Sequence, residues 1–364
     1  MSTKHIVFVI AAICLTLGAV SSARSAAAEA LRRQGKVDAL LRLVPDDVQA
    51  RIERGGPGDL EWAAATATAE SGALIELALA AESKGDLKAA RGHLEEAMRR
   101  DATFRPRWAM VNLLVRHGEP REVLPAAAKA AATYEGDLTA LFDLCLRVGA
   151  APAAIYRDVV PGRLKAQREY LVLLLQRGLR AETLPAALRL ADSAHPDDRD
   201  LLLRTCDRML ESGAGAQAAA LWEALPRFGP TGGRCLDWRR ETIAGITIIE
   251  TGDSLVRLDL NGTQPALATV LRRTVVVEPG RRYHLRAITG GEDRMQKAVE
   301  WRWDEMAIGG GDQPNIEVEA LREISELALV IRRLPGERAA EGALEITNIR
   351  IEKMAAALTA ATKP

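Results

Sequence analysis

Leu225-Pro226-Arg227-Phe228-Gly229-Pro230-Thr231-Gly232-Gly233 divides the chain into two chemically different parts. Its prolines and glycines stop a helix and interrupt a strand. Residues 24–227 contain 43 Ala and 3 Ile, whereas residues 228–353 contain 11 Ala and 12 Ile. Alanine is the strongest helix former, and β-branched residues favour strands. The expected organisation is therefore a leader (1–23), a helical part (24–226), a linker (227–233), a strand-built part (234–353) and a tail (354–364). The fold class expected is multidomain, α then β.

Upstream of the linker the sequence repeats. Gly85, Gly118, Gly149, Gly178 and Gly213 follow one another at steps of 33, 31, 29 and 35 residues. Leu74, Leu77, Ala78 and Ala81 before Gly85, and Leu87, Ala90, Leu94 and Ala97 after it, mark amphipathic helices on both sides of a turn. Leu113 to Gly118 followed by Glu122-Val123-Leu124-Pro125-Ala126-Ala127 returns sixty residues later as Leu173 to Gly178 followed by Glu182-Thr183-Leu184-Pro185-Ala186-Ala187. Helix pairs at this period cannot bury their apolar faces alone and must stack on one another.

Residues 71–104 carry Leu74, Leu77, Ala78, Gly85, Asp86, Ala90, Leu94 and Ala97 on the pattern of tetratricopeptide (TPR) repeats, and the resemblance extends over roughly 70–225. It implies an α-solenoid whose first helices line a groove for a protein partner. Glu76, Asn112, Arg116, Arg168 and Arg204 are the polar candidates for that groove. Ordinary solvated helix faces would carry the same residues.

Downstream, Leu255-Val256-Arg257-Leu258-Asp259-Leu260 alternates and turns at Asn261-Gly262, read as a hairpin turn. Further strands are expected at Tyr283–Ala287, Val299–Trp303, Leu327–Ile331 and Leu344–Ile351, with no helical crossovers between them. Short strands split by Gly, Pro and Asn indicate an antiparallel β-sandwich. Val277-Glu278-Pro279-Gly280-Arg281-Arg282-Tyr283-His284-Leu285, Asp237-Trp238-Arg239 and the closing Gly342 to Ile351 resemble carbohydrate-binding-module-like jelly rolls of the galactose-binding type. The whole arrangement resembles bacterial extracytoplasmic proteins in which TPR units precede such a domain. The resemblance implies glycan binding, for which Trp301, Trp303, Arg257, Asp259 and Arg286 are the candidates. Trp301 and Trp303 share their strand face with Val299, a pattern that also fits core packing. The family's structural calcium calls for an acidic residue where this chain has Thr347 or Asn348, so no cofactor or metal is expected.

At the other end, Lys4 and the uncharged run Ile6–Val20, followed by Ser21, Ser22 and Ala23, describe a secretory signal peptide. An uncleaved inner-membrane anchor over residues 6–23 is the alternative. Either places the body of the protein outside the cytoplasm, periplasmic or secreted. The 49 basic and 49 acidic residues balance, which argues against nucleic acid as a partner. Beyond Cys14, the cysteines Cys145, Cys206 and Cys235 follow no zinc or redox spacing. No nucleophile elbow, P-loop or metalloprotease motif is present.

Together these features predict a non-enzymatic extracytoplasmic adaptor for cell-envelope or exopolysaccharide assembly. Its helical part would take a protein partner and its jelly roll a glycan or protein. A polysaccharide lyase or hydrolase and a purely structural envelope protein are the alternatives.

Overall fold

The computed structural model describes residues 3–67, 71–118, 120–225, 233–250, 255–313, 315–333 and 335–354. Most of the linker, 226–232, and of the tail lies outside them. The chain forms two compact units, Met1–Ala166 and Gln167–Pro364.

The first unit is helical. Among the described residues it contains α1 (Thr3–Arg33), α2 (Val37–Leu43), α3 (Val48–Arg54), α4 (Pro57–Thr66), α5 (Gly72–Ser83), α6 (Leu87–Arg100), α7 (Phe104–Arg116), α8 (Pro120–Ala132), α9 (Thr139–Arg147), α10 (Pro152–Asp158) and the start of α11 (Leu164–Arg177). Helix α1 carries the expected leader and runs on past Ala23 without a break. Beyond that point Ala28 and Leu31 pack on Leu40, Leu41 and Ala50, and the Arg24 guanidinium donates twice to the Leu43 carbonyl, at 3.0 and 2.7 Å. Among the described residues no helix is long and apolar enough to cross a membrane.

Consecutive helices pack as hairpins, most extensively α5 on α6 and α7 on α8. The turn glycines anticipated from the sequence, Gly85, Gly118, Gly149, Gly178 and Gly213, all have φ between +66 and +82°. Side chains are disfavoured in that region, so glycine ends the first helix of each pair. After Gly85, the Asp86 carboxylate accepts from the Ala89 N–H at 2.9 Å and caps α6.

The second unit holds most of α11, then α12 (Arg180–Asp192), a 3-10 turn (Pro196–Asp198), α13 (Arg199–Glu211) and α14 (Gly215–Trp222). Pro125 and Pro185 occupy equivalent places inside α8 and α12, so the internal repeat extends to backbone irregularity. The strands belong to the same unit as these helices because the two are bonded together. Helix α14 packs on the strands, the Ala216 N–H donates to Glu323 Oε1 at 2.7 Å, and Arg234 reaches back to α13. The compositional change at the linker therefore falls inside one compact unit.

The strands are β1 (Arg239–Arg240), β2 (Ile246–Glu250), β3 (Leu255–Asn261), β4 (Leu267–Val276), β5 (Arg282–Gly290), β6 (Val299–Trp303), β7 (Met306–Gly310), β8 (Asn315–Glu319), β9 (Ile324–Arg332) and β10 (Glu341–Lys353), with a short helix α15 (Asp293–Lys297) before β6. They form two open antiparallel sheets, ordered β1-β4-β9-β6-β7 and β2-β3-β10-β5-β8. The pairs β3/β10, β4/β9, β5/β8 and β6/β7 are nested inside one another. That is one long hairpin rolled up, the connectivity of a jelly roll. The core between the sheets is aliphatic around Trp238, Trp301 and Trp303.

One local expectation is corrected. Asn261-Gly262 does not close a hairpin, because β3 and β4 lie in different sheets. The Gly262 backbone has φ +80°, and the Asn261 side chain accepts from the Thr263 N–H and hydroxyl at 3.0 and 2.7 Å. The same turn chemistry serves a crossing between layers.

Candidate functional site

Helices α5 and α7 of the first unit leave a groove of about 190 Å3 between them. Ile75, Leu79 and Glu82 of α5 face Ala109, Asn112 and Arg116 of α7 across it. The amphipathic pattern of α5 puts Leu74, Ile75 and Ala78 inward, whereas Leu79 remains 44% exposed at the rim. Two of the polar residues expected to line a partner groove, Asn112 and Arg116, are brought together here. Glu76 is half-buried on α5 and does not line this groove. Arg168 and Arg204 belong to the second unit.

The arginines are not free ligands. Arg116 donates from Nε and Nη2 to the two carboxylate oxygens of Glu82, both at 2.7 Å, and His117 Nε2 lies 2.8 Å from the same carboxylate. These bonds, the Arg116 hydrogen bond foremost, hold the Glu82 carboxyl below the usual carboxylate range. Arg168 is paired with Asp198, which is fully buried. Arg204 stays exposed and pairs with Asp200 four residues earlier at 3.1 Å. Asn112 donates to the Trp108 carbonyl at 2.8 Å.

Arg116–Glu82 and Arg168–Asp198 recur as one kind of bond. Ser71 to Asp101, Arg91 to Glu122, Arg100 to the Ala64 carbonyl, and Arg163 to Glu135 also link residues between 28 and 36 positions apart. Ser71–Asp101 closes the α5/α6 hairpin from its open end, and the others join one helix pair to another. The helix-face charges thus fasten neighbours together, and the unsatisfied feature of the groove is apolar: Leu79 above Ile75, Ala78 and Leu113.

In the jelly roll, Trp301 and Trp303 are 0% and 1% exposed. Their rings fill the core between the sheets, and neither indole N–H has a hydrogen-bond partner. A ring without an accessible face cannot stack on a sugar, so the expected platform is corrected to core packing. Arg257 and Asp259 do lie together on the outer face of β3. Arg257 is opposite Glu345 and Arg286 is opposite Arg350, which places them five residues apart along β10, roughly 16 Å. Each arginine has an acidic neighbour, Glu345 at 3.5 Å and Glu352 at 3.4 Å. His284 stands between Glu352 and Glu317 across the strands, with a buried Nδ1 that has no partner.

The sequence reading missed a cleft of about 530 Å3 in the second unit, lined by Trp222 of α14 with Trp238, Arg273, Tyr283 and Glu352 of the sandwich. The Arg273 guanidinium carbon lies 5.7 Å from the centre of the Trp238 ring. It also missed Leu79, although a leucine one position off the apolar stripe is a readable signal. Among the described residues no group of three or more His, Cys, Asp or Glu is placed to hold a metal ion. Asn348 has φ +54° at a break in the β10/β5 register.

No protein-family model matches this chain, and no curated protein matches it significantly. Among solved structures it matches the protein of "Functional Characterization of Pseudomonas Aeruginosa pilF" with 15% identity, over 58% of this chain and 78% of that one, at a TM-score of 0.22. A score that low transfers nothing from that protein to this one, and the fold described above rests on the chain's own geometry.

Proposed function

We propose that this chain is a non-catalytic, exported adaptor whose helical hairpins hold a protein partner and whose jelly roll contacts a glycan or a second protein during cell-envelope or exopolysaccharide assembly. The observation that carries the reading is the α5/α7 groove. It has a rigid wall, fastened by Arg116–Glu82, and an exposed leucine over an apolar floor. Such a groove suits an apolar side chain of a helical or extended peptide, flanked by polar contacts to Asn112 and the Glu82 edge. Glycan contact is proposed for the polar outer face around Arg257 and Asp259, by hydrogen bonding rather than ring stacking.

A peptide library displayed against the full-length protein tests the first module. Peptides enriched by the parent should be lost on Leu79→Asp and kept on Ile288→Asp, a substitution at an exposed leucine-sized residue of the sandwich. Equal enrichment by parent and Leu79→Asp would remove the groove from the reading. Incubation with a polysaccharide panel tests the other class, since new reducing ends or unsaturated products would replace the adaptor by an enzyme.

A further inference from the structure

The second unit holds two cysteines that the adaptor reading leaves unused. Cys206 sits in the middle of α13 and Cys235 just beyond the linker, and both side chains are fully buried. Cys235 Sγ lies 3.3 Å from the Leu203 carbonyl, one turn before Cys206. Its N–H donates to Asp207 Oδ1, one residue after Cys206, at 2.9 Å. Cys235 is therefore pinned against α13 on both sides of Cys206, whose own thiol donates to the Ala218 carbonyl at 3.7 Å.

The neighbouring residues hold that register. Arg234 donates to Asp207 Oδ2 from Nε and Nη2 at 3.0 and 2.9 Å, and to Asp200 Oδ1 from Nη1 at 2.8 Å. Cys235 also has φ +56°, a region where a residue with a Cβ is strained. Glycine, present two positions earlier, would relieve that strain. A side chain stands where the backbone disfavours one, and it is buried against α13 one turn from Cys206.

We propose that Cys206 and Cys235 are an oxidisable pair that closes to a disulfide as the exported chain folds, tying α13 covalently to the start of the jelly roll across the linker. The electrons go to a donor disulfide, oxidised glutathione or a disulfide-bearing oxidoreductase. One cysteine thiolate attacks a donor sulfur and expels the first donor thiolate. The second cysteine then attacks the mixed disulfide, forming Cys206–Cys235 and releasing the other. Two protein S–H bonds and one donor S–S bond become one protein S–S bond and two donor thiols.

The site also sets the timing. The neighbouring Cys206 thiol and burial push the Cys235 thiol far above its ordinary range, and with both side chains fully buried a donor disulfide reaches neither sulfur once the chain has folded. Closure belongs to folding, and the finished bond is shielded from reductants.

The full chain, refolded from denaturant with oxidised glutathione or with dithiothreitol, provides the test. After alkylation and non-reducing digestion, the oxidised sample should yield a cross-linked peptide pair containing residues 206 and 235, with Cys145 alkylated. Its melting midpoint should exceed that of the reduced sample by about 5–10 °C, as expected for closing a loop of about thirty residues. Cys206→Ser and Cys235→Ser should each abolish the difference, and Cys145→Ser should keep it. Peptide mapping of the unsubstituted chain decides the matter even if a serine variant fails to fold. Alkylation of both Cys206 and Cys235 after oxidative refolding, or pairing of either with Cys145, would overturn the proposal. Rapid closure on adding oxidised glutathione to the folded, reduced protein would overturn the timing.

Discussion

Replacing Trp301 by alanine separates a core residue from a ligand platform. The ring is 0% exposed, and an indole removes on the order of 200 Å2 from water. At about 25 cal/mol per Å2 its burial is worth about 5 kcal/mol. Large-to-small replacements of buried Trp lose about 3–5 kcal/mol, depending on how far the site collapses. Val299, Leu329 and Leu327 lie on adjacent, hydrogen-bonded strands, which limits collapse, so about 4 kcal/mol is expected. That is a large share of the roughly 5–15 kcal/mol that holds a domain together. Trp301→Phe should lose less than half as much, because the discarded indole N–H had no partner and its burial was a penalty. Urea unfolding of the full chain, followed by circular dichroism in the strand region, measures both at an unchanged m-value. A Trp301→Ala protein within about 1 kcal/mol of the parent would refute the reasoning. The ring would then have to be accessible, and sugar stacking would return as its role.

Four further outcomes are expected. Arg168→Ala should lower stability by about 3 kcal/mol in thermal or urea unfolding, because it strands the fully buried Asp198 carboxylate; Arg204→Ala, an exposed pair, should stay within about 0.5 kcal/mol. The Glu82 carboxyl titrates lower in the folded chain than in the unfolded one, so its stabilisation is present above the unfolded value of about 4.3 and is lost as pH falls through the folded value. Glu82→Gln should therefore flatten the fall of the melting midpoint between about pH 5 and pH 3. Burial pushes the Cys145 thiol up to about 11, so iodoacetamide at pH near 8 should label it only after urea is added.

Much of the fold was legible because local chemistry dictated it. The turn glycines announced themselves by spacing, and the structure gives them the left-handed backbone that only glycine adopts freely. The change from Ala to Ile marked where helices give way to strands. Pairing was less visible. Asn261-Gly262 has the residues of a hairpin turn, but those residues specify a backbone bend and not which sheet the next strand joins. The helical site suffered from a related ambiguity. A charge on a helix face looks the same whether it meets water, a ligand or a partner in the next hairpin. Arg116 and Arg168 find their carboxylates 34 and 30 positions away, beyond the reach of any local pattern. Leu79 carries no charge to mark it, and the Trp222 cleft draws its lining from α14, β4, β5 and β10, segments that only the fold brings together.

The nesting of the strands governs the order in which this chain can mature. Strand β3 pairs with β2 on one edge and with β10, at the far end of the strand order, on the other, so the outermost wrap stays open until Lys353 has left the ribosome. The helical hairpins need only their immediate neighbours and can close as they appear. A nascent chain that still lacks β10 leaves the facing edges of β3 and β5 unpaired. It is at this stage, rather than in the mature protein, that chaperones and proteases of its compartment would distinguish a sound chain from a truncated one.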